Sequence, residues 1–217
     1  MTTTSTDPGL CLMAAAEHGA DRLARIARAL EATRAVTLIV TAPDRGAIDP
    51  AVARPIVEMA QQRKIAALIA DDVPAARATG ADGVHLSWRP EIEDAYEAAR
   101  AALGPDAIVG AEAGDSRHDA MTLGEGGADY VAFGRSSDAH GPDTARDLQR
   151  ELVSWWGEVF IVPVVAADIE TPDEARDLIA CGADFVAVRL PSAGEADDDA
   201  AWASALAAAL SPSATAA

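Results

Sequence analysis

The chain has 217 residues and a formal net charge of −18; half of its residues are apolar and 4% are aromatic. This length favours one domain with a full hydrophobic core, and the acidic surface argues against nucleic acid and anionic membranes as partners. No apolar run reaches the length of a membrane span. Cys11 and Cys181 are isolated in the sequence, which is typical of reduced thiols in a cytosolic protein.

The start of the chain and its single lysine narrow the chemistry further. The opening segment, MTTTSTDPG, has no basic region followed by an apolar stretch, so we expect no secretion signal and a cytoplasmic location. Lys64 is the only lysine, and it stands where a helical pattern ends. This position argues against Schiff-base chemistry, which needs a lysine in a dry pocket. A nucleotide-binding P-loop is excluded because no Gly-Lys-Ser/Thr occurs.

Eight short strand-like segments alternate with helical patterns along the chain. In order, they are residues 10–14, 36–42, 66–71, 83–87, 107–113, 130–134, 162–168 and 185–190. Asp49-Pro50 and Thr171-Pro172 each place a capping side chain before a proline at the first helical position. Capping-box spacing occurs at Thr171–Glu174 and Ser116–Asp119. Helix ends are indicated by Gly80, Gly104 and Gly182.

The tripeptide Gly-Ala-Asp precedes three of these segments, at 80–82, 127–129 and 182–184. The copies lie 47 and 55 residues apart, and one strand–helix unit takes roughly 25 to 30 residues. Each interval therefore holds two units, and the tripeptide belongs to the helix-to-strand turns, where barrel residues serve stability.

Eight strand–helix alternations predict a single α/β domain, a (β/α)8 TIM barrel, with an open doubly wound sheet as the alternative. We expect this domain to span residues 1–217. Its core should run from about 10 to 210, because the polar ends, 1–8 and 211–217, are typical of disorder.

Function is expected at the other end of the barrel, where the strands finish. The candidate site residues there are Asp71, Ser87, Trp88, Glu112, Arg135, Ser136, Asp168 and Arg189. Alternate strands contribute to the same layer of a barrel, so these charges are expected to converge at its mouth. Three interpretations stay open. The charges form an internal ion-pair set in which both arginines bridge Asp168, or a new pocket for a cationic ligand, a metal or a carboxylate, or a residual phosphate site that uses the arginines.

Two histidines and a tryptophan have their own alternatives. His85 is interpreted as a buried, hydrogen-bonded histidine, with catalysis as the second interpretation. His118 follows the cap at Ser116 and, with Arg135, is a weak catalytic candidate. Trp88 stands where it would form the wall of a pocket for a flat ring.

Several motifs then carry a family resemblance. The segments LIADD, GADGVHL, IVGAEAGDSRHDA, GADYVAFG, PVVAAD and GADFVAV occur in the same order and spacing as in thiamine phosphate synthases and the related thiazole tautomerases. From about residue 10 to 195, the chain resembles a divergent branch of this family. The resemblance implies a phosphate-binding barrel in thiamine biosynthesis. It also implies a transferase that joins hydroxymethylpyrimidine diphosphate to thiazole phosphate and releases pyrophosphate.

Most residues that the family uses for this reaction are replaced. By the resemblance, Asp71 is a retained magnesium ligand, whereas the second metal carboxylate falls at about Pro90. Glu112 replaces a serine, and Ala167-Asp168 replaces two glycines whose amides hold a phosphate. An aspartate there would repel a phosphate by several kcal/mol at an effective dielectric constant near 20.

We therefore predict that the family reaction is very slow or absent, as in a pseudoenzyme. The cofactor implied is Mg²⁺ if the reaction is retained, and otherwise none. The expected partner is a small phosphorylated or thiamine-related ligand. The alternative function is a non-catalytic barrel that binds a thiamine-related small molecule or a partner protein. A homo-oligomer stays open.

Overall fold

A computed structural model describes residues 8–44, 46–135, 141–191 and 196–210. Its strands are β1 Gly9–Ala15, β2 Thr37–Thr41, β3 Ala66–Ala70, β4 Gly83–Leu86, β5 Ile108–Glu112, β6 Val131–Phe133, β7 Val164–Ile169 and β8 Phe185–Arg189. Its helices are α1 Ala20–Thr33, α2 Pro50–Gln62, α3 Val73–Thr79, α4 Ile92–Leu103, α5 Arg117–Glu125, α6 Pro142–Val159, α7 Pro172–Ala180 and α8 Ala196–Leu210.

The eight strands are parallel and close into a barrel in chain order, since β8 also pairs with β1. Every predicted strand is present, and the closed order confirms the (β/α)8 barrel over the open sheet. Within the described ranges, no helix is both long enough and apolar enough to cross a membrane.

The apolar core has two parts because successive side chains of a strand point to opposite faces. The larger part lies between the barrel and its helices, and it includes the fully buried Trp156 and Phe133. The smaller part fills the barrel interior and contains four alanines, one each from β3, β6, β7 and β8: Ala70, Ala132, Ala167 and Ala187. These short side chains leave room inside the barrel for larger polar ones from other strands.

The three Gly-Ala-Asp turns make the same contacts at the bottom of the barrel. In each, the aspartate carboxylate accepts a hydrogen bond from the first or second residue of the preceding strand: Asp82 from Ala67 N at 2.7 Å, Asp129 from Val109 N at 2.8 Å and Asp184 from Val164 N at 2.9 Å. The backbone amide of each aspartate donates to the carbonyl of that same partner residue. The tripeptide therefore joins neighbouring strands, as its structural interpretation predicted.

The predicted helix signals are present, with one exception. Thr171 and Glu174 form a complete capping box at the start of α7. At α5, the Ser116 hydroxyl accepts from the Asp119 amide, but the Ser116 amide donates to the carbonyl of Ala113, so the predicted box there is only half formed. The remaining signals are the side-chain cap at Asp49 and the positive φ angles of Gly80, Gly104 and Gly182.

Candidate functional site

Three polar side chains form a hydrogen-bonded network from the barrel interior to its mouth. The Tyr130 hydroxyl lies 2.8 Å from His85 Nδ1, and His85 Nε2 lies 3.1 Å from Glu112 Oε1. The His85 side chain is fully buried, whereas that of Glu112 is 14% exposed. Because Glu112 is the last residue of β5, this network connects the interior to the strand ends.

A glycine makes room for Tyr130, the inner end of this network. The Tyr130 ring occupies the space beside Gly110, where an added Cβ atom would overlap the ring. Burial, with smaller contributions from Cys11, Glu112 and Asp129, raises the pKa of Tyr130 well above its ordinary value. The phenol therefore keeps its proton at neutral pH. Through His85, the phenol is linked to the Glu112 carboxylate, which accepts a hydrogen bond from His85 Nε2–H.

Glu112 is held as an anion at the mouth. Burial alone would raise its pKa, but the hydrogen bond and charge of His85, the Trp88 amide and the charge of Arg189 outweigh burial. The pKa of Glu112 is therefore below its ordinary value. Its second oxygen, Oε2, accepts from the Trp88 amide at 3.2 Å. Each carboxylate oxygen thus has a donor, and the negative charge stays fixed at the end of β5.

A second carboxylate, Asp168, faces the same space. A Cβ atom added to Gly134 would lie 2.6 Å from Asp168 Oδ2 and 3.7 Å from Glu112 Oε2. Asp168 has a φ of +57° and lies where the β7–β8 register shifts between Ala166 and Ile169. Such irregularities turn a side chain away from its regular direction. Here the turned side chain brings a second carboxylate beside Glu112.

The negative charge of Asp168 is only partly offset by nearby hydrogen-bond donors and positive charges. Its pKa is raised, first by burial and then by the charge of Glu112. The Arg135 amide, which donates to Oδ2 at 3.2 Å, and the charges of Arg189 and Arg135 offset this only in part. The Arg189 guanidinium lies 3.9 Å from Oδ1, and its side chain is 58% exposed.

The two arginines do not bridge Asp168 in the way that the ion-pair interpretation predicted. The Arg135 guanidinium pairs with Glu170 at 2.9 Å and with Glu174 at 3.4 Å. Arg135 therefore contacts Asp168 through its backbone amide, while its charge faces the start of α7. The Arg189 guanidinium does point towards Asp168, as expected, but the distance between the charged atoms is long.

Asp71, the predicted magnesium ligand, is engaged by the protein itself. Its Oδ1 accepts from the Ser87 amide at 2.9 Å and pairs with the Arg89 guanidinium. Among the residues that the structure describes, no three His, Cys, Asp or Glu side chains form a group that could hold a metal ion. The described residues do not fit a magnesium ion, because a cation would have to displace Arg89 from Asp71 and would find no group of three ligands there.

The remaining predicted residues lie in different places. Trp88 is 46% exposed at the mouth, and its indole packs against Gly114, where an added Cβ atom would lie 2.7 Å from the ring. His118 is exposed on the first turn of α5, and the described hydrogen bonds do not connect its ring to Glu112 or Asp168. Its catalytic role stays a prediction. Ser136 lies outside the described residues.

Sequence reasoning missed Tyr130 and ranked His85 as structural. The alternation of side chains along a strand contained the signal, since Tyr130, directly before β6, points inward like Ala132, and Gly110 lies opposite on β5. A tyrosine, a histidine and a glutamate that all face inward form a buried polar network when they meet.

Fold and site together define a (β/α)8 barrel with a polar hydrogen-bonded network in its interior and two carboxylates at its mouth. Residues 10–190 match the family model described as thiamine monophosphate synthase. The chain belongs to this family.

Relatives with assigned names agree with that membership. The chain is 44% identical to a thiamine-phosphate synthase of Hyphomonas neptunium, over 61% of this chain and 59% of the relative. It is 38% identical to one of Erythrobacter litoralis, over 76% and 78%, and 41% identical to one of Rhodospirillum centenum, over 63% of each. The matched region thus spans less than two thirds of the first and third of these relatives.

Solved structures support the fold. A thiamine phosphate pyrophosphorylase from Pyrococcus furiosus superposes with a TM-score of 0.69 and 23% identity, over 94% of this chain and 96% of the other. A Mycobacterium tuberculosis tryptophan synthase superposes with a TM-score of 0.70 and 15% identity, over 94% and 93%. At these identities, the likeness concerns the barrel and not its chemistry.

Proposed function

We propose that this protein binds a thiamine-related heterocycle at the barrel mouth and joins hydroxymethylpyrimidine diphosphate to thiazole phosphate very slowly or not at all. The observation that carries this proposal is the pair of carboxylates, Glu112 and Asp168, which border one space beside Gly134. By the family resemblance, that space would receive a phosphate. A phosphate charge about 4 Å from one of these carboxylates would be repelled by about 4 kcal/mol at an effective dielectric constant near 20.

The same mouth suits a ring that is cationic or rich in N–H donors. The Glu112 charge is fixed by His85 and by the Trp88 amide, so it is available without a proton transfer. The exposed Trp88 indole offers a flat face beside it. Thiamine, whose thiazolium ring is a cation and whose aminopyrimidine ring donates N–H bonds, has both features.

Thermal unfolding of the purified protein tests this proposal with three probes: thiamine, thiazole phosphate, and pyrophosphate with magnesium. We expect thiamine to raise the melting temperature, and pyrophosphate with magnesium to leave it unchanged. Glu112→Gln should abolish the response to thiamine. The matched control is Glu151→Gln, because Glu151 is an exposed carboxylate that pairs with Arg117 on the outer helices. Stabilisation by pyrophosphate and silence with thiamine would contradict the proposal.

Retained synthase activity is the second candidate function. It is favoured by the names of the relatives, which are 38% to 44% identical over more than half of this chain. The measurement is thiamine phosphate formation from both substrates and magnesium by purified protein. Turnover at an ordinary enzymatic rate would establish this candidate and refute the slow reaction proposed above.

A further inference from the structure

A cavity lies outside the mouth, between the first turns of α1 and α2. Its volume is about 270 Å³. The apolar side chains Leu23, Val52 and Ile56 contribute to its walls, and Glu17, Gly19 and Arg22 contribute a polar end. The cavity is on the same end of the barrel as the mouth, because its walls follow the end of β1 and the start of α2, but it shares no lining residue with the mouth described above.

Arg22 is a buried charge without a full set of partners. Its side chain is 7% exposed, its Nε donates to the Ala15 carbonyl at 3.3 Å, and the Glu17 carboxylate lies 3.9 Å away. Among the described residues, its Nη1 is the buried side-chain nitrogen that has no hydrogen-bond partner. Burial, together with the charge of Arg25, lowers the pKa of Arg22 although Glu17 and Asp199 act against this shift. Buried polar groups are nearly always paired, so Arg22 keeps hydrogen-bonding capacity that Ala15 and Glu17 do not use.

The neighbouring charges do not fill this role. Asp199 is committed to Arg25, which binds both of its carboxylate oxygens. The N-terminus of helix α1 lies at the cavity and adds to the positive potential, although the exposed Asp21 in its first turn offsets part of it. The Glu17 side chain is 37% exposed, so water screens its charge.

We propose that this cavity binds a small organic anion, whose carboxylate or phosphate group pairs with Arg22. The apolar part of the ligand packs against Leu23, Val52 and Ile56. Pockets for drug-sized molecules span about 300 to 1,000 Å³, so the volume here suits a smaller molecule with a short hydrocarbon body. The Arg22 guanidinium and the N-terminus of α1, which both border the cavity, together favour negative charge at its polar end.

Thermal unfolding with butyrate, butyl phosphate and inorganic phosphate tests the site, at an ionic strength matched with sodium chloride. We expect butyrate or butyl phosphate to raise the melting temperature by roughly 2 to 5 °C near saturation. Comparison of these two probes identifies the preferred head group. A smaller response to inorganic phosphate would show that the hydrocarbon body contributes.

Matched variants locate the response. Arg22→Gln should abolish it, whereas Arg28→Gln makes the same charge change on the exposed face of α1 and should preserve it. Glu17→Gln removes the competing carboxylate and should enlarge it. Glu112→Gln, at the mouth, should leave it unchanged, so the outcome is independent of the function proposed above.

The proposal is overturned if all three anions are silent with the wild-type protein, or if the response persists in Arg22→Gln. If Arg22→Gln does not fold, Val52→Phe decides the question, because it fills the apolar part and leaves the guanidinium in place. Loss of the response in Val52→Phe supports the site, and an unchanged response refutes it.

Discussion

The aspartates at the bottom of the barrel and those at its mouth differ in what their carboxylates contact. At the bottom, Asp82, Asp129 and Asp184 each accept from the amide of a neighbouring strand. At the mouth, Asp71 accepts from Ser87 and pairs with Arg89, whereas Asp168 accepts from the Arg135 amide and faces Glu112. The bottom repeats one stabilising bond, while the mouth brings unlike partners and like charges together.

The backbone of the aspartates also differs between the two ends of the barrel. Asp71 and Asp168 have φ angles of +58° and +57°, a region that costs a residue other than glycine roughly 1 to 2 kcal/mol. At the bottom of the barrel, Gly80, Gly127 and Gly182 take the positive φ angles instead, and the aspartate of each turn does not. Arg34 and Lys64, which follow α1 and α2 at the bottom, also have positive φ angles, so left-handed residues occur at both ends of the barrel. The feature that sets the mouth apart is the charge repulsion between Glu112 and Asp168.

The largest expected effect is at the bottom. Asp184→Ala should lower the free energy of unfolding by about 1 to 3 kcal/mol, because it leaves the amide of the buried Val164 without its side-chain acceptor. Urea unfolding followed by circular dichroism measures this loss. Asp184→Asn keeps an acceptor oxygen and should lose less. Equal stability of Asp184→Ala and the wild type would show that the tripeptide is not a structural device.

An intermediate effect is expected for Glu112→Gln, which removes the charge but keeps one acceptor. At neutral pH we expect a loss of about 1 kcal/mol, because a hydrogen bond to a charged group is replaced by a neutral one. The pKa of Glu112 is lower in the folded state, so its contribution is present above the unfolded-state pKa and is lost as pH falls through the folded-state value. The difference between variant and wild type should therefore shrink in acid, as urea unfolding at several pH values would show. A difference that stays constant with pH would contradict an ionised Glu112.

The sequence predicted the bottom of the barrel better than its mouth. Each Gly-Ala-Asp turn depends on contacts between adjacent strands, which the order of segments already implies. The direction of the Arg135 side chain depends on Glu170 and Glu174, which lie beyond the next strand, and a long side chain has many rotamers. The pairing of Asp71 with Arg89 likewise depends on how the chain turns after β3 and β4, which the residue types do not specify.

The smallest effect in size, but opposite in sign, is expected for Asp168→Asn. The folded state raises the pKa of Asp168, so it binds this proton more tightly than the unfolded chain, and stability falls as pH rises through the window between the two pKa values. At neutral pH, asparagine removes the repulsion by Glu112 and keeps an acceptor for the Arg135 amide. The side chain is 39% exposed, so solvent screening should limit the gain to less than about 1 kcal/mol.

Urea unfolding of Asp168→Asn at neutral pH and in acid measures both the sign and its pH dependence. The gain should disappear in acid, where the wild-type carboxyl is itself protonated. Asp184→Asn is the matched control, since the same substitution at the bottom should lower stability at neutral pH. A clear loss of stability in Asp168→Asn at neutral pH would instead make Asp168 a structural ion-pair partner of Arg189. The aspartates at both ends of the barrel would then stabilise the fold, although their contacts differ in geometry.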